Sequence, residues 1–225
     1  LTTPHNPTGA ILSEPDIWEI GQLALQHDLW IISDEVYEDF VFTDTTFTSA
    51  LAIPEIVDRV IVVSSISKSH AAPGFRSGWC IGPKEFASRL LPLSETMLFG
   101  NQPFIADMTE AAVREGSTVA AEMRRRFAAR AEMLEGRLST DPKLSVHRPE
   151  AGMFALINVT GTGMNGDQYA AHLLEHGGVA VMPGSSFGLT MNDWVRVALT
   201  VDDASFNTAC DRILAHAATL RLEIA

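Results

Sequence analysis

A lysine and an arginine occur close together in a segment of small and hydroxyl-bearing residues. Lys68 ends the run Ser65-Ile66-Ser67-Lys68, and Arg76 follows within Gly74-Phe75-Arg76-Ser77-Gly78. Hydroxyl groups and a guanidinium can hold a phosphate dianion, and a lysine amine can form a Schiff base with an aldehyde. Together they suit a ligand that carries both groups, although Lys68 alone would more simply be interpreted as an ordinary charge on an exposed loop.

Three other polar residues lie beside or within apolar or turn-forming segments. Asp34 ends an apolar run, Asn6 lies in the turn-forming stretch Pro4-His5-Asn6-Pro7-Thr8-Gly9, and Arg196 stands among apolar strand residues. Each has a simpler interpretation: a helix cap for Asp34, a plain turn residue for Asn6 and a structural salt bridge for Arg196. An arginine in such apolar surroundings needs a partner, and a substrate carboxylate held by two hydrogen bonds would be a good one.

The first half of the chain predicts alternating helices and strands that would position these residues. Ser13, Pro15 and Asp16 form a helix start with a capping box, and apolar runs at 29–33, 59–65 and 78–82 predict short buried strands. Such a pattern is typical of an α/β fold with a mostly parallel sheet. Lys68 would then lie at the carboxyl end of the sheet, where open α/β folds bind ligands.

The second half predicts a different, α+β organisation. Helical sequence covers 85–98 and 105–138, with an interruption near Gly116. The remaining segments predict strands at 153–159, 179–182 and 194–199, a helix at 166–175 and a closing helix from about Asp203. We therefore expect two domains, 1–110 and 111–225, with a boundary near residue 110 that the long helix crosses.

Composition narrows the functional classes. The chain has 225 residues, 46% of them hydrophobic, and a net charge of −12, which argues against a nucleic-acid or anionic-membrane partner. No apolar run approaches the roughly 20 residues that span a bilayer. Two cysteines do not form a disulfide framework; Cys80 is predicted to be a small core residue, and a cytoplasmic location fits.

Four motifs, in order and with matching spacing, resemble the class I and II aminotransferase family, whose members depend on pyridoxal 5′-phosphate (PLP). They are PHNPTG, SDEVY, SISKSHAAPGFRSG and PGSSFG followed by WVRVA. The third departs from the family pattern at Ser77, where an aliphatic residue or Ala is expected, which puts local packing in question. The resemblance implies the fold of a type I PLP-dependent transferase, with a large PLP-binding domain and a small C-terminal domain.

The resemblance also implies roles for individual residues. Lys68 would hold the cofactor and transfer the proton, Asp34 would bind the pyridine nitrogen, and Tyr37 would bind the 3-oxygen. Asn6 would contact the 3-oxygen and the substrate, with an Asn6–Pro7 peptide bond that is often cis. Ser65 and Arg76 would hold the phosphate, and Arg196 the substrate α-carboxylate; no metal ligands are expected.

Within the family, the segments HDLWIISDEVY, SISKSHAAPGFRSGW and MLFGNQPFIAD resemble arginine–pyruvate transaminases. We expect the amino group of an L-amino acid to pass to a 2-oxo acid such as pyruvate, in a homodimer. Glu35, Glu38 and Asp39 could pair with a substrate guanidinium. The family's sequence before PHNPTG is not found, so we also expect the chain to be the C-terminal three-fifths of a longer protein. A PLP-dependent C–S lyase, or an aminotransferase-like sensor domain without turnover, stays open.

Overall fold

The computed structural model describes residues 1–42 and 45–220, apart from the side chain of Leu98. Contacts divide the chain into two units. Unit 1 comprises Leu1–His5 and Ile11–Arg124, whereas unit 2 comprises Asn6–Ala10 and the chain from Arg125 onward. The architecture is α/β, as the sequence predicts.

The sheet of unit 1 contains β1 (Ile31–Asp34), β2 (Val60–Ser65) and β3 (Gly78–Ile81), in that order. Strands β1 and β2 are parallel, while β3 pairs antiparallel with β2. Thr2 forms a parallel bridge to Asp34 on the other side of β1. The described sheet is therefore mixed, and the sequence pattern could not reveal the direction of β3 because both directions produce short apolar runs.

Helix α1 (Glu14–Gln26) begins with the predicted cap: Ser13 and Asp16 form a complete capping box. One face of α1 packs on the sheet through Ile17 and Ala24, and Gly21 leaves room for Ile56. The core of unit 1 is completed by residues of β1, β2 and the segment between them: Ile31, Ala50, Ile53, Ile56, Val60 and Val62. This packing holds β1 and β2 in place, so that their carboxyl ends lie at the same edge of the sheet.

Part of unit 1 is more exposed than its sequence suggests. Strand β1 begins at Ile31 rather than at residue 29, and Ile32 is 57% exposed, so only one face of the strand that was predicted to be buried is buried. Cys80 was expected in the core but is exposed, because β3 lies at the edge of the described sheet and none of its residues is buried.

Unit 1 also contains α2 (Ile66–Ser69), α3 (Lys84–Leu98) and α4 (Pro103–Glu115). Helices α3 and α4 follow the predicted pattern, whereas the short helix α2 was not predicted. Helix α5 (Ala120–Leu138) begins after the predicted interruption, where Gly116 adopts a φ of +74° that favours glycine. The unit boundary at Arg124 and Arg125 falls within α5. Among the described residues, no helix is long and apolar enough to cross a membrane.

Unit 2 contains an antiparallel sheet of β4 (Ser145–His147), β5 (Phe154–Asn158), β6 (Met182–Pro183) and β7 (Trp194–Ala198), in the order β4-β5-β7-β6. Two helices belong to it: α6 (Gly166–Gly177) and α7 (Asp203–Thr219). Strand β4 was not predicted. The strand predicted at 179–182 is shorter than expected, because Gly178 and Val179 donate backbone hydrogen bonds to α6 and complete its C-terminal cap.

Candidate functional site: a lysine at a sheet edge and an arginine held by an amide

In unit 1, two predicted site residues lie at the carboxyl ends of neighbouring parallel strands. Asp34 ends β1 opposite Val63, and Ser65 ends β2 two residues further on. The backbone N–H of Glu35 donates to the carbonyl of Val63 at 3.0 Å, which extends the ladder past the end of β1. Parallel pairing thus delivers both polar side chains to one edge of the sheet.

The Asp34 side chain also stabilises the turn that follows it. One carboxylate oxygen accepts a hydrogen bond from the backbone N–H of Val36 at 3.1 Å, as in an Asx turn. Asp34 is half-buried and makes no ion pair within the described residues. Asp34 therefore stabilises a turn rather than capping a helix, and this turn leads to Tyr37, which is only 6% exposed.

Lys68 lies in α2, the short helix that follows β2 directly. The hydroxyl of Ser65 accepts a hydrogen bond from the N–H of Ser67 and caps this helix. Lys68 is half-buried, yet its amine forms neither a hydrogen bond nor an ion pair with any residue that the structure describes. An amine in this condition is unusual, because a partly desolvated ammonium normally has a charged or polar partner.

The residues after Lys68 hold α2 in place, a role that no sequence motif indicated. The hydroxyl of Ser69 lies 2.8 Å from Nδ1 of His70, whose Nε2 lies 3.1 Å from the carbonyl oxygen of Ala112. Ser117 donates to the carbonyl of Ser69. These contacts connect the C-terminal end of α2 to α4 and to the loop that follows α4.

Arg76 occupies an exposed turn in a left-handed conformation, with a φ of +52°. One guanidinium N–H donates to the carbonyl of Pro73 at 3.0 Å. The adjacent Ser77, which departs from the family pattern, is buried: its hydroxyl lies 2.7 Å from that of Thr109 and accepts from Asn101 at 3.0 Å. Two polar partners therefore replace the apolar packing that an aliphatic residue would make.

Of the three acidic residues considered for guanidinium binding, Glu35 has a structural role. It is 2% exposed and accepts hydrogen bonds from the Ser33 hydroxyl at 2.9 Å and the Ala50 N–H at 3.1 Å.

Desolvation, followed by the charges of Asp39 and Glu35, raises the pKa of Glu38 to about 7. Glu38 and Asp39 thus share a strongly negative turn next to Tyr37.

In unit 2, the structure brings Asn6 and Arg196 together across 190 positions of sequence. An N–H of the Arg196 guanidinium donates to the side-chain carbonyl of Asn6 at 2.8 Å. The Asn6–Pro7 peptide bond is cis, as the resemblance implied, and so is Thr3–Pro4. Gly9 has a φ of +72° and packs so close to Pro149 and Ala151 that a side chain would not fit. The segment that carries Asn6 is therefore held in place within unit 2.

Arg196 also contacts two aromatic rings that sequence reasoning missed. Its guanidinium carbon lies 4.0 Å from the centroid of the Phe154 ring and 4.8 Å from that of Phe187. Phe187 stands in the PGSSFG motif, but nothing in the spacing of Phe154 indicated such a contact. The Arg196 guanidinium thus contacts an amide oxygen and two aromatic rings.

Curated relatives give the geometry a context. The chain is 35% identical to an arginine–pyruvate transaminase from Pseudomonas aeruginosa over 220 residues, which is 98% of this chain and 56% of that protein. It is 33% identical to an aspartate aminotransferase from Streptomyces avermitilis, covering 95% of this chain and 54% of the relative. The chain therefore spans a little over half the length of the curated relatives that it matches.

Solved structures agree with this similarity. An aromatic aminotransferase from Pyrococcus horikoshii matches 94% of the chain and 57% of its own with a TM-score of 0.88, at 28% identity. An N-succinyldiaminopimelate aminotransferase from Mycobacterium tuberculosis matches 96% of the chain and 57% of its own with a TM-score of 0.87, also at 28% identity. The fold is that of the type I PLP-dependent aminotransferases.

A sequence profile of class I and II aminotransferases matches residues 1–213, nearly the whole chain. This match includes both strand-end residues of unit 1, Lys68, and the Asn6–Arg196 pair of unit 2. The chain belongs to the class I and II aminotransferase family.

Proposed function

We propose that this protein is a PLP-dependent aminotransferase that moves an amino group from an L-amino acid to a 2-oxo acid such as pyruvate. The observation that carries the proposal is Lys68, a half-buried amine without a described partner, directly after a parallel strand. Such an amine is suited to covalent bonding with an aldehyde and to proton transfer. A structural lysine would instead be expected to pair with a carboxylate or a carbonyl.

Members of this family depend on PLP, and the side chains of unit 1 fit its functional groups. We infer that Lys68 binds the aldehyde carbon, Asp34 the protonated pyridine nitrogen, and Tyr37 the 3-oxygen. Ser65 and Arg76 provide a hydroxyl and a guanidinium for the phosphate. When bound, PLP supplies an electron sink that stabilises negative charge at the substrate α-carbon.

The residues of this chain then have separable tasks. Nζ of Lys68 would take the proton from the substrate α-carbon and hold it for return to the product. The carboxylate of Asp34 keeps the ring nitrogen protonated. Arg196 binds the α-carboxylate, and its bond to Asn6 restricts the orientation of the guanidinium, so that the Cα–H bond is held in a reactive direction.

The similarity to an arginine–pyruvate transaminase makes L-arginine the first amino donor to test. Glu38 and Asp39 are the acidic residues of unit 1 that could meet a substrate guanidinium, whereas Glu35 already accepts two hydrogen bonds. A relative named as an aspartate aminotransferase argues for testing acidic donors beside arginine. Pyruvate is the proposed acceptor.

We further propose that unit 1 belongs to the large PLP-binding domain and unit 2 to the small C-terminal domain, that the protein is a homodimer, and that it works in amino acid metabolism in the cytoplasm. Helices α3 and α4 support the dimer. None of the described side chains on α3 and α4 is buried, and several large apolar residues on these helices are exposed. These are Leu91, Leu93, Met97, Phe104 and Val113. Light scattering of the purified protein tests the oligomeric state.

An absorbance spectrum with PLP tests the proposed function. The protein should show a visible band that shifts when L-arginine is added, and Lys68→Ala should lack the lysine-dependent band. Lys84→Ala, which removes an exposed lysine at the start of α3, is the matched control and should keep it. The absence of any band in the unmodified protein would overturn the proposal.

The same preparation separates the alternatives. Formation of alanine from pyruvate, dependent on an amino donor, indicates a transaminase. Release of ammonia and pyruvate from cystathionine indicates a C–S lyase. A spectral shift on adding amino acids, without either product, indicates a sensor domain. If the band does not shift with arginine but shifts with another amino acid, the protein is still a PLP-dependent enzyme of this family, and only the proposed amino donor is wrong.

A further inference from the structure

Arg196 is the cation assigned above to the substrate α-carboxylate, and two rings of unit 2 lie against it. Its guanidinium carbon is 4.0 Å from the Phe154 ring centroid and 4.8 Å from the Phe187 ring centroid. Both distances are within the range of a cation–π interaction. All three side chains are half-buried, so the attraction acts where water screens it only in part.

Backbone geometry fixes the position of Phe154. Arg196 on β7 stands opposite Leu156 on β5, and Phe154 is two residues before Leu156 on the same face of the sheet. Diagonal neighbours of this kind are within reach of aromatic and long side chains. The ring of Phe154 is therefore presented to the guanidinium by strand pairing rather than by a flexible loop.

Phe187 reaches the same guanidinium from a short helical turn, Gly184–Phe187. Gly184 is buried, and a Cβ atom at this position would collide with the carbonyl oxygens of Met191 and Trp194. The turn is thus pressed against the segment that leads into β7, and this close approach sets where Phe187 lies.

We propose that Phe154 and Phe187 are positioning residues that hold the Arg196 guanidinium ready for a planar carboxylate. The inference rests on the proposed function, because it concerns the substrate-binding role of Arg196. Ring faces attract the cation but cannot accept its N–H bonds in plane. They therefore restrain the guanidinium without taking the place of the substrate carboxylate.

A consequence for specificity follows. The guanidinium carbon lies over both rings, and the N–H donors that remain for a ligand lie in the plane of the guanidinium. A carboxylate satisfies this geometry with two parallel hydrogen bonds, and a carboxamide cannot, because one of its two groups is a donor. Loss of a ring should weaken the preference for the acid over its amide.

The test replaces each ring by an aliphatic side chain in the PLP-loaded protein. Phe154→Leu and Phe187→Leu should each raise KM for pyruvate by about three- to tenfold, with less than about a twofold change in kcat. Phe154→Tyr and Phe187→Tyr keep a ring face and should restore KM. Phe206→Leu is the matched control: Phe206 is buried elsewhere in unit 2, so this variant should lower the melting temperature without a selective change in KM.

A double-mutant experiment tests whether the two rings act through Arg196. In an Arg196→Lys background, which removes the planar group, Phe154→Leu should change KM by less than about twofold. An equal effect in both backgrounds, or no rescue by tyrosine, would overturn the proposal and assign the rings to general packing.

Calorimetric binding of pyruvate to the PLP-loaded protein gives a readout that does not need turnover. Weaker binding by the leucine variants than by the tyrosine variants supports the proposal even where transamination is absent, and equal binding by both contradicts it. Absence of transamination in the unmodified protein would instead contradict the proposed function, so the two failures are distinguishable.

Discussion

Lys68 in unit 1 and Arg196 in unit 2 are the two cations on which the proposed function depends, and their surroundings differ. Lys68 is half-buried without a described partner, whereas Arg196 contacts an amide oxygen and two aromatic rings. The contrast follows from their tasks. A residue that must form and break bonds needs a free amine, while a residue that only binds benefits from being held in place before the ligand arrives.

The largest effect should come from removing the free amine. Lys68→Ala should lower the rate of amino-group transfer by about a thousandfold or more, because both covalent attachment and proton transfer are lost. The rate is measured as alanine formed from pyruvate. Lys84→Ala should retain the full rate, and similar losses in the two variants would show that Lys68 has no special role.

Replacing the held cation should act mainly on binding. Arg196→Lys keeps the charge but loses the planar group that can make two parallel hydrogen bonds, so KM for pyruvate should rise by about ten- to a hundredfold. Steady-state kinetics at saturating donor provides the measurement. A change confined to kcat would contradict a role in binding the carboxylate and would remove the contrast with Lys68.

The two units should also respond to pH in opposite directions, and unit 2 should show the larger response. Burial, followed by the neighbouring His172 and His176, lowers the pKa of His216 below 6.5. His216 is 4% exposed, its Nε2 lies 2.7 Å from Nδ1 of His172, and its own Nδ1 has no partner in the described structure. The Tyr169 ring packs edge-on against it, and Arg212 lines the same surface pocket.

A depressed histidine pKa means that the folded state binds fewer protons than the unfolded state. Its contribution to stability is complete well above pH 6.5 and is lost as the pH falls through that value. His216→Phe should therefore reduce the fall in melting temperature between about pH 7.5 and about pH 5 by a few degrees. His27→Asn, at an exposed position in unit 1, is the control and should leave that fall unchanged.

The smallest effect is expected at Glu38 in unit 1. Its pKa is raised to about 7 by desolvation, Asp39 and Glu35, so the folded state holds a proton that the unfolded state releases above about pH 4.5. The stability this provides is present at low pH and lost as the pH rises through about 7. Glu38→Gln should raise the melting temperature by about one degree near pH 8 and leave it unchanged near pH 5. An equal shift at both pH values would point to a cause other than this titration.

Much of the fold could be predicted because its local signals are strong. The capping box of α1, the strand β2, and the break between α4 and α5 at Gly116 all lie where the sequence indicates. Elements that depend on segments distant in sequence were harder to predict. The short strand β4 and the antiparallel direction of β3 depend on hydrogen bonds to distant segments, which leave no periodic pattern of their own.

The candidate site divides in the same way. The resemblance of four motifs to a known family identified Lys68, Asp34 and Asn6 as candidates, whereas each residue taken alone had a simpler structural interpretation. Tertiary structure decided what surrounds them. It gave Ser77 its partners Thr109 and Asn101, and it made Glu35 a buried structural residue.

The contact between Asn6 and Arg196 shows the limit most clearly. The sequence alone determined that an amide lies in a rigid proline-containing turn and that an arginine lies in an apolar strand, since those properties depend on adjacent residues. Only the tertiary structure decided that they meet, with Phe154 and Phe187 against the same guanidinium. The physical reason is that a side chain's partners are set by strand register and close packing, which join segments far apart in the chain.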